Sequence, residues 1–264
     1  MGVIAVKGYV GSTSAFYQVE DGMVIKSLYP SIAERDAYKL IAEKKILERL
    51  GEHPRIIRYR GFRDEPNIRG LLFDEASYGN LQNYIDKNND SICLSTQKKW
   101  CRQVTEAIEY LHGKDVIHSD LRPENCLLHK SHTSLDILLA DFGGSMCRDL
   151  GVDGRGLPDP PFWDLVWEST TGTDIFSLGS IFYTIMTGHW PYKSNDASEG
   201  EDKWQYEERV IALLEQGAYP DVEGIIGGTI MMGCWKKQYS TAEDVLRAQN
   251  TSDSEIVLQG SPAE

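Results

Sequence analysis

Residues 116–128 read VIHSDLRPENCLL and set a polar loop between two apolar segments. The loop carries Asp120 and Asn125 and follows an apolar, strand-like DVI. Sixteen residues after Asn125, the stretch ILLADFGG places Asp141 at the end of a predicted strand, before a flexible Phe-Gly-Gly. If the fold brings these three side chains together, they form a concentrated set of carboxylate and amide oxygens.

The chemistry of these three side chains points to phosphoryl transfer. A carboxylate and an amide, those of Asp141 and Asn125, can hold Mg²⁺ through hard oxygen ligands. A second carboxylate, that of Asp120, can orient a hydroxyl and accept its proton. Positioning a triphosphate, neutralising it with a metal and aiming a nucleophile are the requirements of phosphoryl transfer.

Two charged residues upstream occupy positions where an apolar residue is expected. In MVIKSL, residues 23–28, strand alternation puts Lys26 on an apolar face. Glu43 falls on the apolar stripe of a predicted helix, which is formed by Leu40, Leu47 and Leu50. A buried charge is costly unless it is paired. The two residues therefore either pair with each other or extend to water at the edges of their elements.

Hydrophobic periodicity divides the chain into a β-rich first part and a helical second part. Strands are predicted at 3–10, 15–19, 23–30, 55–62 and 69–76, with one helix at 31–51 that begins at Ser31 and ends at Gly51. Further helices are predicted at 95–113 and 174–188, and two more follow, the last from the capping box Ser240–Glu243. A short strand is predicted at 134–140, a long loop at 144–172 and a disordered tail at 251–264.

Composition narrows the class of protein. The chain has 264 residues and a formal net charge of −13, which argues against a nucleic-acid or anionic-membrane surface. Its five cysteines include no CxxC pair, which predicts free thiols in a reducing, cytoplasmic compartment without a disulfide or zinc framework. We find no signal peptide and no apolar run approaching the ~20 residues that cross a bilayer.

These motifs resemble those of eukaryotic protein kinases along about 240 of the 264 residues. HSDLRPEN is similar to the catalytic loop H-R-D-L-K-P-E-N, and DFG is identical to the kinase metal motif. VIK resembles the strand of the phosphate-binding lysine, SLGSIFYTIMTGHWPY the central helix of the large lobe, and MMGCW a late helix. More loosely, the chain resembles small divergent kinase-domain proteins of filamentous fungi.

The resemblance implies a two-lobed α+β kinase fold over residues 1–250. The β-rich N-lobe would span about 1–74, the hinge about 74–79 and the mainly helical C-lobe about 80–250. Lys26 would contact the ATP phosphates and be held by Glu43. Asp120 would be the catalytic base, and Asn125 and Asp141 would bind Mg²⁺. The partner would be a protein substrate, with a monomer as the default state.

The resemblance also assigns the nucleotide-binding residues. Val24 and Leu127 would sandwich adenine, and backbone groups of Asp74, Glu75 and Ala76 would hydrogen-bond it. Gly8, Gly11 and Ser12 would belong to the loop over the phosphates. Arg122 would stand where a lysine usually steadies the γ-phosphate, an exchange that keeps the charge and changes the geometry. His118 would be structural, and Asp174 would brace the catalytic loop.

The sequence departs from the family pattern at three places. The glycine-rich loop keeps only Gly8 and Gly11, which predicts weaker nucleotide binding. The A-P-E motif and its partner arginine are both missing. Ser119 replaces the arginine of H-R-D, and residues 146–168 contain no Ser, Thr or Tyr.

These departures leave three hypotheses open. The first is a Ser/Thr protein kinase that does not require phosphorylation of the activation loop, because both the receiving arginine and the phosphorylation site are missing. The second is a catalytically weak or inactive kinase-like scaffold. The third is a small-molecule phosphotransferase on the same fold.

Overall fold

The computed structural model describes residues 4–10, 14–29, 34–65, 68–131, 134–193 and 201–259. The strands are β1 (Ile4–Val10), β2 (Ser14–Glu20), β3 (Met23–Leu28), β4 (Tyr59–Glu65), β5 (Ile68–Asp74), β6 (Cys126–Lys130), β7 (Leu135–Leu139), β8 (Met146–Cys147) and β9 (Val152–Asp153). The helices are α1 (Glu34–Leu50), α2 (Leu81–Asn88), α3 (Leu94–His112), α4 (Thr171–Thr187), α5 (Lys203–Glu215), α6 (Gly228–Trp235) and α7 (Ala242–Gln259).

The first five strands form one antiparallel sheet in the order β1-β2-β3-β5-β4. The helix α1 packs against this sheet and buries Leu40, Leu47 and Leu50. It ends at Gly51, which adopts φ +67° and donates to Leu47 O at 3.0 Å, so the predicted end of the helix is confirmed. The predicted first residue of the helix, Ser31, lies outside the described residues.

The second part of the chain is built around α4. All residues from Thr173 to Ile185 are buried, which confirms the prediction of a core helix from its all-round apolar pattern. Helices α3 and α6 pack on α4, and α3 also contacts α7 and β7. The antiparallel pair β6–β7 follows the polar loop of residues 118–125, and β6 begins directly after Asn125. The two-lobed kinase architecture that the resemblance implied is therefore present.

The structure differs from the predicted elements in the first lobe and at its border. β4 begins at Tyr59, because residues 56 and 57 bridge instead to Leu139 of β7. The helix α2 was not predicted, since its apolar face consists only of Leu81 and Ile85 and is too short to show a period. Most of the predicted loop at 144–172 is irregular. It contains the hairpin β8–β9 and a single 3-10 turn, and its last two residues belong to α4.

Three further differences from the predictions concern the last described part of the chain. Three helices follow α4 rather than two, and the capping box is displaced by one residue, since Thr241 and Asp244 exchange hydrogen bonds with each other's N–H groups. α7 continues to residue 259, where a disordered tail from 251 was expected. None of the described helices is long and apolar enough to cross a bilayer.

Candidate active site

A buried ion-pair cluster joins the two lobes. Glu43 Oε2 on α1 accepts from Lys26 Nζ on β3 at 2.7 Å, and Asp141 Oδ1 accepts from the same nitrogen at 2.8 Å. Lys26 and Glu43 are only 6% and 2% exposed. The prediction that these two charges pair is therefore confirmed. Burial would lower the pKa of Lys26, but the carboxylates of Asp141 and Glu43 outweigh it and raise that pKa, so the ammonium stays charged.

Asp141 lies where β7 gives way to the Phe-Gly-Gly turn. Its backbone adopts φ +61°, which turns the side chain toward Lys26. The carboxylate is 47% exposed and faces the same cavity as the lysine. Burial would raise the pKa of Asp141, but the Lys26 ammonium outweighs it and holds the pKa below its usual value. The group therefore stays ionised over the physiological range.

Asp174 holds the backbone of the polar loop through hydrogen bonds to two of its N–H groups. This fully buried carboxylate, in the first turn of α4, accepts from His118 N at 2.8 Å and from Ser119 N at 3.0 Å. Ser119 is held at φ +70°, a conformation that a serine adopts only when its surroundings impose it. Asn125 Nδ2 donates to Asp120 O at 2.7 Å and closes the other end of the loop. The prediction that Asp174 braces this loop is confirmed by these contacts.

His118 has a structural environment. Its ring is completely buried, lies 5.3 Å from the Phe142 ring, and places Nε2 3.1 Å from Ala140 O. Burial lowers the pKa of His118, so the ring is neutral and Nε2 carries the proton that it donates to the carbonyl. These contacts join the loop to the Asp141 turn rather than presenting the ring to the cavity.

Asp120 lies next to Arg122 at the mouth of the cavity. The two side chains approach to 3.5 Å between Arg122 Nε and Asp120 Oδ1. Burial raises the pKa of Asp120 to about 7, although the Arg122 guanidinium opposes this shift. A carboxylate with a pKa near the working pH is suited to accept a proton from a hydroxyl and release it again.

A cavity of about 590 Å³ lies between the lobes and is lined by most of the predicted site residues. Those that line it are Val24, Lys26, Glu43, Asp74, Glu75, Ala76, Asp120, Arg122, Asn125, Leu127 and Asp141. Gly8 lies in β1, whereas Gly11 and Ser12 lie outside the described residues. Sequence reasoning missed Asn80 and Asn83, which also line the cavity. The signal for them was the N-cap pattern of α2, in which Asn80 accepts from Asn83 N at 2.8 Å.

The segment that links the lobes uses two of its backbone N–H groups within the protein. The N–H of Asp74 donates to Arg58 O at 3.0 Å, and that of Glu75 donates to Gly22 O at 2.9 Å. Neither donor is available to a nucleotide. Adenine contacts from Asp74 and Glu75 would therefore use their backbone carbonyl oxygens.

Two oxygen donors on the cavity fit the Mg²⁺ ion that the resemblance implies. Asn125 engages its Nδ2 in a hydrogen bond, which leaves the amide oxygen as the group that could bind a metal, and Asp141 has an exposed carboxylate on the same cavity. Among the described residues, no cluster of three or more His, Cys, Asp and Glu side chains suits a metal by itself. Two protein oxygens are nevertheless enough for Mg²⁺ when substrate phosphates and water complete its coordination.

The end of the long loop is anchored by a pair that the sequence did not reveal. Asp164 is 1% exposed and accepts from Lys237 Nζ at 2.9 Å, just after α6. The A-P-E glutamate and its partner arginine are both missing from the sequence. The ion pair of Asp164 with Lys237 joins the loop to the helical lobe.

Comparisons with known proteins agree with this geometry. A sequence model described as "Protein tyrosine and serine/threonine kinase" matches residues 6–244. The 3-phosphoinositide-dependent protein kinase B of Dictyostelium discoideum is 26% identical over 81% of this chain and 24% of its own length. Human receptor-interacting serine/threonine-protein kinase 1 is 26% identical over 87% of this chain and 36% of its own length. The calcium/calmodulin-dependent protein kinase type 1 of Macrobrachium nipponense is 29% identical over 59% of this chain and 46% of its own length. The chain thus spans less than half the length of each of these relatives.

Proposed function

The chain belongs to the protein tyrosine and serine/threonine kinase family, and from this premise we propose that it transfers the γ-phosphate of ATP to serine or threonine side chains of a protein. The observation that supports this proposal is the convergence of Lys26, Glu43, Asp120, Asn125 and Asp141 on one cavity. A chain that had lost its activity would more often have lost one of these five groups. The resemblance of DLRPEN to the Ser/Thr form of the catalytic loop favours a hydroxyl of serine or threonine as the acceptor.

The five residues divide the work. Lys26 would position the α- and β-phosphates, since it is charged, buried and held from both sides by Glu43 and Asp141. Asn125 and Asp141 would hold Mg²⁺, which neutralises charge on the phosphates when it is bound. Asp120 would accept a hydrogen bond from the substrate hydroxyl and aim its oxygen at the γ-phosphorus. As the new O–P bond forms, the bond between the γ-phosphorus and the β–γ bridging oxygen breaks, ADP leaves, and Asp120 takes the proton of the hydroxyl.

Arg122 would supply positive charge directly beside Asp120. Its guanidinium lies 3.5 Å from Asp120, and its pKa is raised because the neighbouring carboxylates of Asp120, Glu124 and Asp159 outweigh the effect of burial. It therefore remains charged beside the base throughout the reaction. A planar guanidinium can contact two anionic oxygens at once, whereas lysine provides one point of charge.

We further propose that this activity does not need phosphorylation of the loop at 144–172. Its flanking hydroxyls already have structural roles: Ser145 is buried and donates to His118 O at 3.0 Å, and Thr170 and Thr173 form the capping box of α4. Phosphatase treatment of the purified active protein should leave its rate unchanged. A large fall in rate, traced to Ser145 or to residues 169–173, would exclude this part of the proposal.

The decisive experiment compares ATP binding with transfer. We expect ATP with Mg²⁺ to raise the melting temperature, and labelled phosphate to appear on acceptor proteins. Asp120→Asn should keep the thermal shift and abolish transfer, whereas Asp141→Ala and Asn125→Ala should weaken the Mg²⁺-dependent part of the shift. Binding without any transfer would favour the scaffold, which the poor glycine-rich loop makes the main alternative. Transfer to small molecules alone would favour the third hypothesis.

A further inference from the structure

Asp159, in the loop between β9 and α4, joins two basic residues from different parts of the chain. Its Oδ2 lies 3.4 Å from Arg122 Nη1 in the catalytic loop and 3.0 Å from Lys203 Nζ at the start of α5. Arg122 in turn lies 3.5 Å from Asp120. The contacts therefore form one continuous row of alternating charges, Lys203–Asp159–Arg122–Asp120.

Asp159 lies between two parts of the loop that are held by other means. On its N-terminal side, the N–H of Gly154 donates to Ser145 O and that of Gly156 to Gly144 O, at 2.9 and 3.0 Å. A Cβ on Gly154 would lie 2.4 Å from Gly143 O, so this close approach requires glycine. On its C-terminal side, Pro161 O accepts from Ser180 Oγ of α4 at 2.7 Å. Asp159 thus lies on a short span whose two ends are fixed.

The position of the Asp159 carboxylate determines what it can do. Its side chain is 39% exposed and that of Arg122 is 31% exposed, so each ion pair is partly screened by water and contributes little to the stability of the fold. The contact has a larger effect on the orientation of the Arg122 guanidinium than on the stability of the fold. Arg122 forms ion pairs with two carboxylates through different nitrogens, with Asp120 through Nε and with Asp159 through Nη1, so the loss of Asp159 removes one of the two ion pairs that orient its guanidinium.

We propose that Asp159 is a positioning residue for phosphoryl transfer, which holds Arg122 beside Asp120 and is itself held by Lys203. This inference rests on the proposed kinase activity and deepens it. A carboxylate encoded in the sequence provides a permanent negative charge on the loop. The loop is therefore ordered next to the catalytic residues without a covalent phosphate, although the receiving group is Arg122 rather than the residue at position 119.

The experiment compares Asp159→Asn, which removes the charge at constant size, with Asp159→Glu, which retains it. Glu215→Gln is the charge-matched control, because this exposed glutamate lies at the other end of α5, about 18 Å along the helix axis from Lys203. Intrinsic hydrolysis of Mg-ATP, with water as acceptor, gives a rate that needs no known protein substrate. Hydrogen exchange of the backbone amides at 155–163, without nucleotide, reports the order of the loop independently.

We expect Asp159→Asn to lower kcat about tenfold with KM for ATP within threefold, and to speed exchange at 155–163 at least fivefold. Asp159→Glu should restore at least half of both properties, and Glu215→Gln should change neither. In an Arg122→Lys background, Asp159→Asn should lower kcat by less than twofold, because the residue through which it acts is already altered.

Wild-type exchange in Asp159→Asn, an equal effect of Glu215→Gln, a failure of Asp159→Glu to restore the rate, or full additivity with Arg122→Lys would each overturn the inference. If the wild-type protein shows no turnover at all, the proposed kinase activity fails. The exchange measurement then still shows whether Asp159 orders the loop, so the two failures are distinguishable.

Discussion

Replacement of Lys26 by methionine tests the ion-pair cluster at the centre of the site. Methionine keeps an unbranched apolar side chain of similar length and removes the ammonium group with its hydrogen bonds. The substitution leaves Glu43 buried without a cation, and burial already raises the pKa of this carboxyl. Asp141 loses the same partner but is 47% exposed, so water can solvate it. The cost should therefore come mainly from Glu43.

The cost has an upper limit, because Glu43 can take up a proton instead of remaining charged. Its ordinary pKa is 4.5, so protonating it at pH 7 costs about 3.4 kcal/mol, at about 1.36 kcal/mol per pH unit. The limit at pH 5.5 is only about 1.4 kcal/mol by the same arithmetic. We expect Lys26→Met to lower the free energy of unfolding by about 3 kcal/mol at pH 7 and by about half of that or less at pH 5.5. Such a loss leaves an ordinary domain folded.

The sign follows from linkage. In the variant, the folded state binds a proton at Glu43 that the unfolded state has released above pH 4.5, so the deficit grows as the pH rises and shrinks as it falls. Urea unfolding followed by tryptophan fluorescence at both pH values gives the comparison. Lys44→Met is the control on the same helix, since the exposed Lys44–Glu48 pair should contribute less than about 0.5 kcal/mol.

A deficit below about 0.5 kcal/mol at pH 7, or one that is equal at both pH values, would refute this account of the pair. Lys26→Met/Glu43→Met should regain most of the lost stability, because an apolar replacement leaves no charge unpaired. Neither variant should regain activity. If Lys26→Met keeps more than about a tenth of wild-type transfer, which corresponds to about 1.4 kcal/mol of transition-state stabilisation, the proposed role of Lys26 is wrong.

Three further predictions follow from other contacts. Lys237→Met should destabilise the protein by about 2 kcal/mol at pH 7, because Asp164 is only 1% exposed and would lose its cation; adding Asp164→Asn should recover most of this in urea unfolding. Partial burial would raise the pKa of Asp136, but hydrogen bonds, the largest contribution from Gln103, outweigh it and lower the pKa to about 2. The stabilising effect of this carboxylate is therefore present above pH 4 and is lost as the pH falls toward 2. The difference in unfolding free energy between wild type and Asp136→Asn, about 1 kcal/mol at pH 7, should narrow with acidification. Asp174→Asn should lower kcat at least tenfold with the affinity for ATP within threefold, as measured by steady-state kinetics, because Asp174 holds the catalytic-loop backbone and is not among the residues that line the cavity.

The local patterns of the sequence were enough for the division into two lobes and for most of its elements. The period of two at 23–28, the uniform apolar character of 174–188 and the glycine after α1 each gave the correct element, because alternation and glycine conformation are local properties of the chain. Elements without a measurable period were missed or misplaced. α2 has only two buried apolar residues, and β4 starts late because residues 56 and 57 contact a strand more than 80 residues further along.

The candidate site shows the same division. Motif order and the family resemblance identified many but not all of the residues that line the cavity, and two charges out of pattern left pairing and solvation of Lys26 and Glu43 as alternatives. The packing of α1 on the sheet buries the side chains of Lys26 and Glu43, so they pair with each other instead of extending to water. Sequence periodicity reports that a face is buried and does not report what is packed against it.

The partners across long separations were settled only by tertiary structure. Asp164 meets Lys237, and Asp159 meets both Arg122 and Lys203, although no spacing rule connects these positions. The A-P-E glutamate and its partner arginine are both missing from the sequence, and no motif pointed to Asp164 and Lys237. An ion pair depends on where two charges lie in space, so it can form between residues far apart in the sequence once the loop and the helices have packed together.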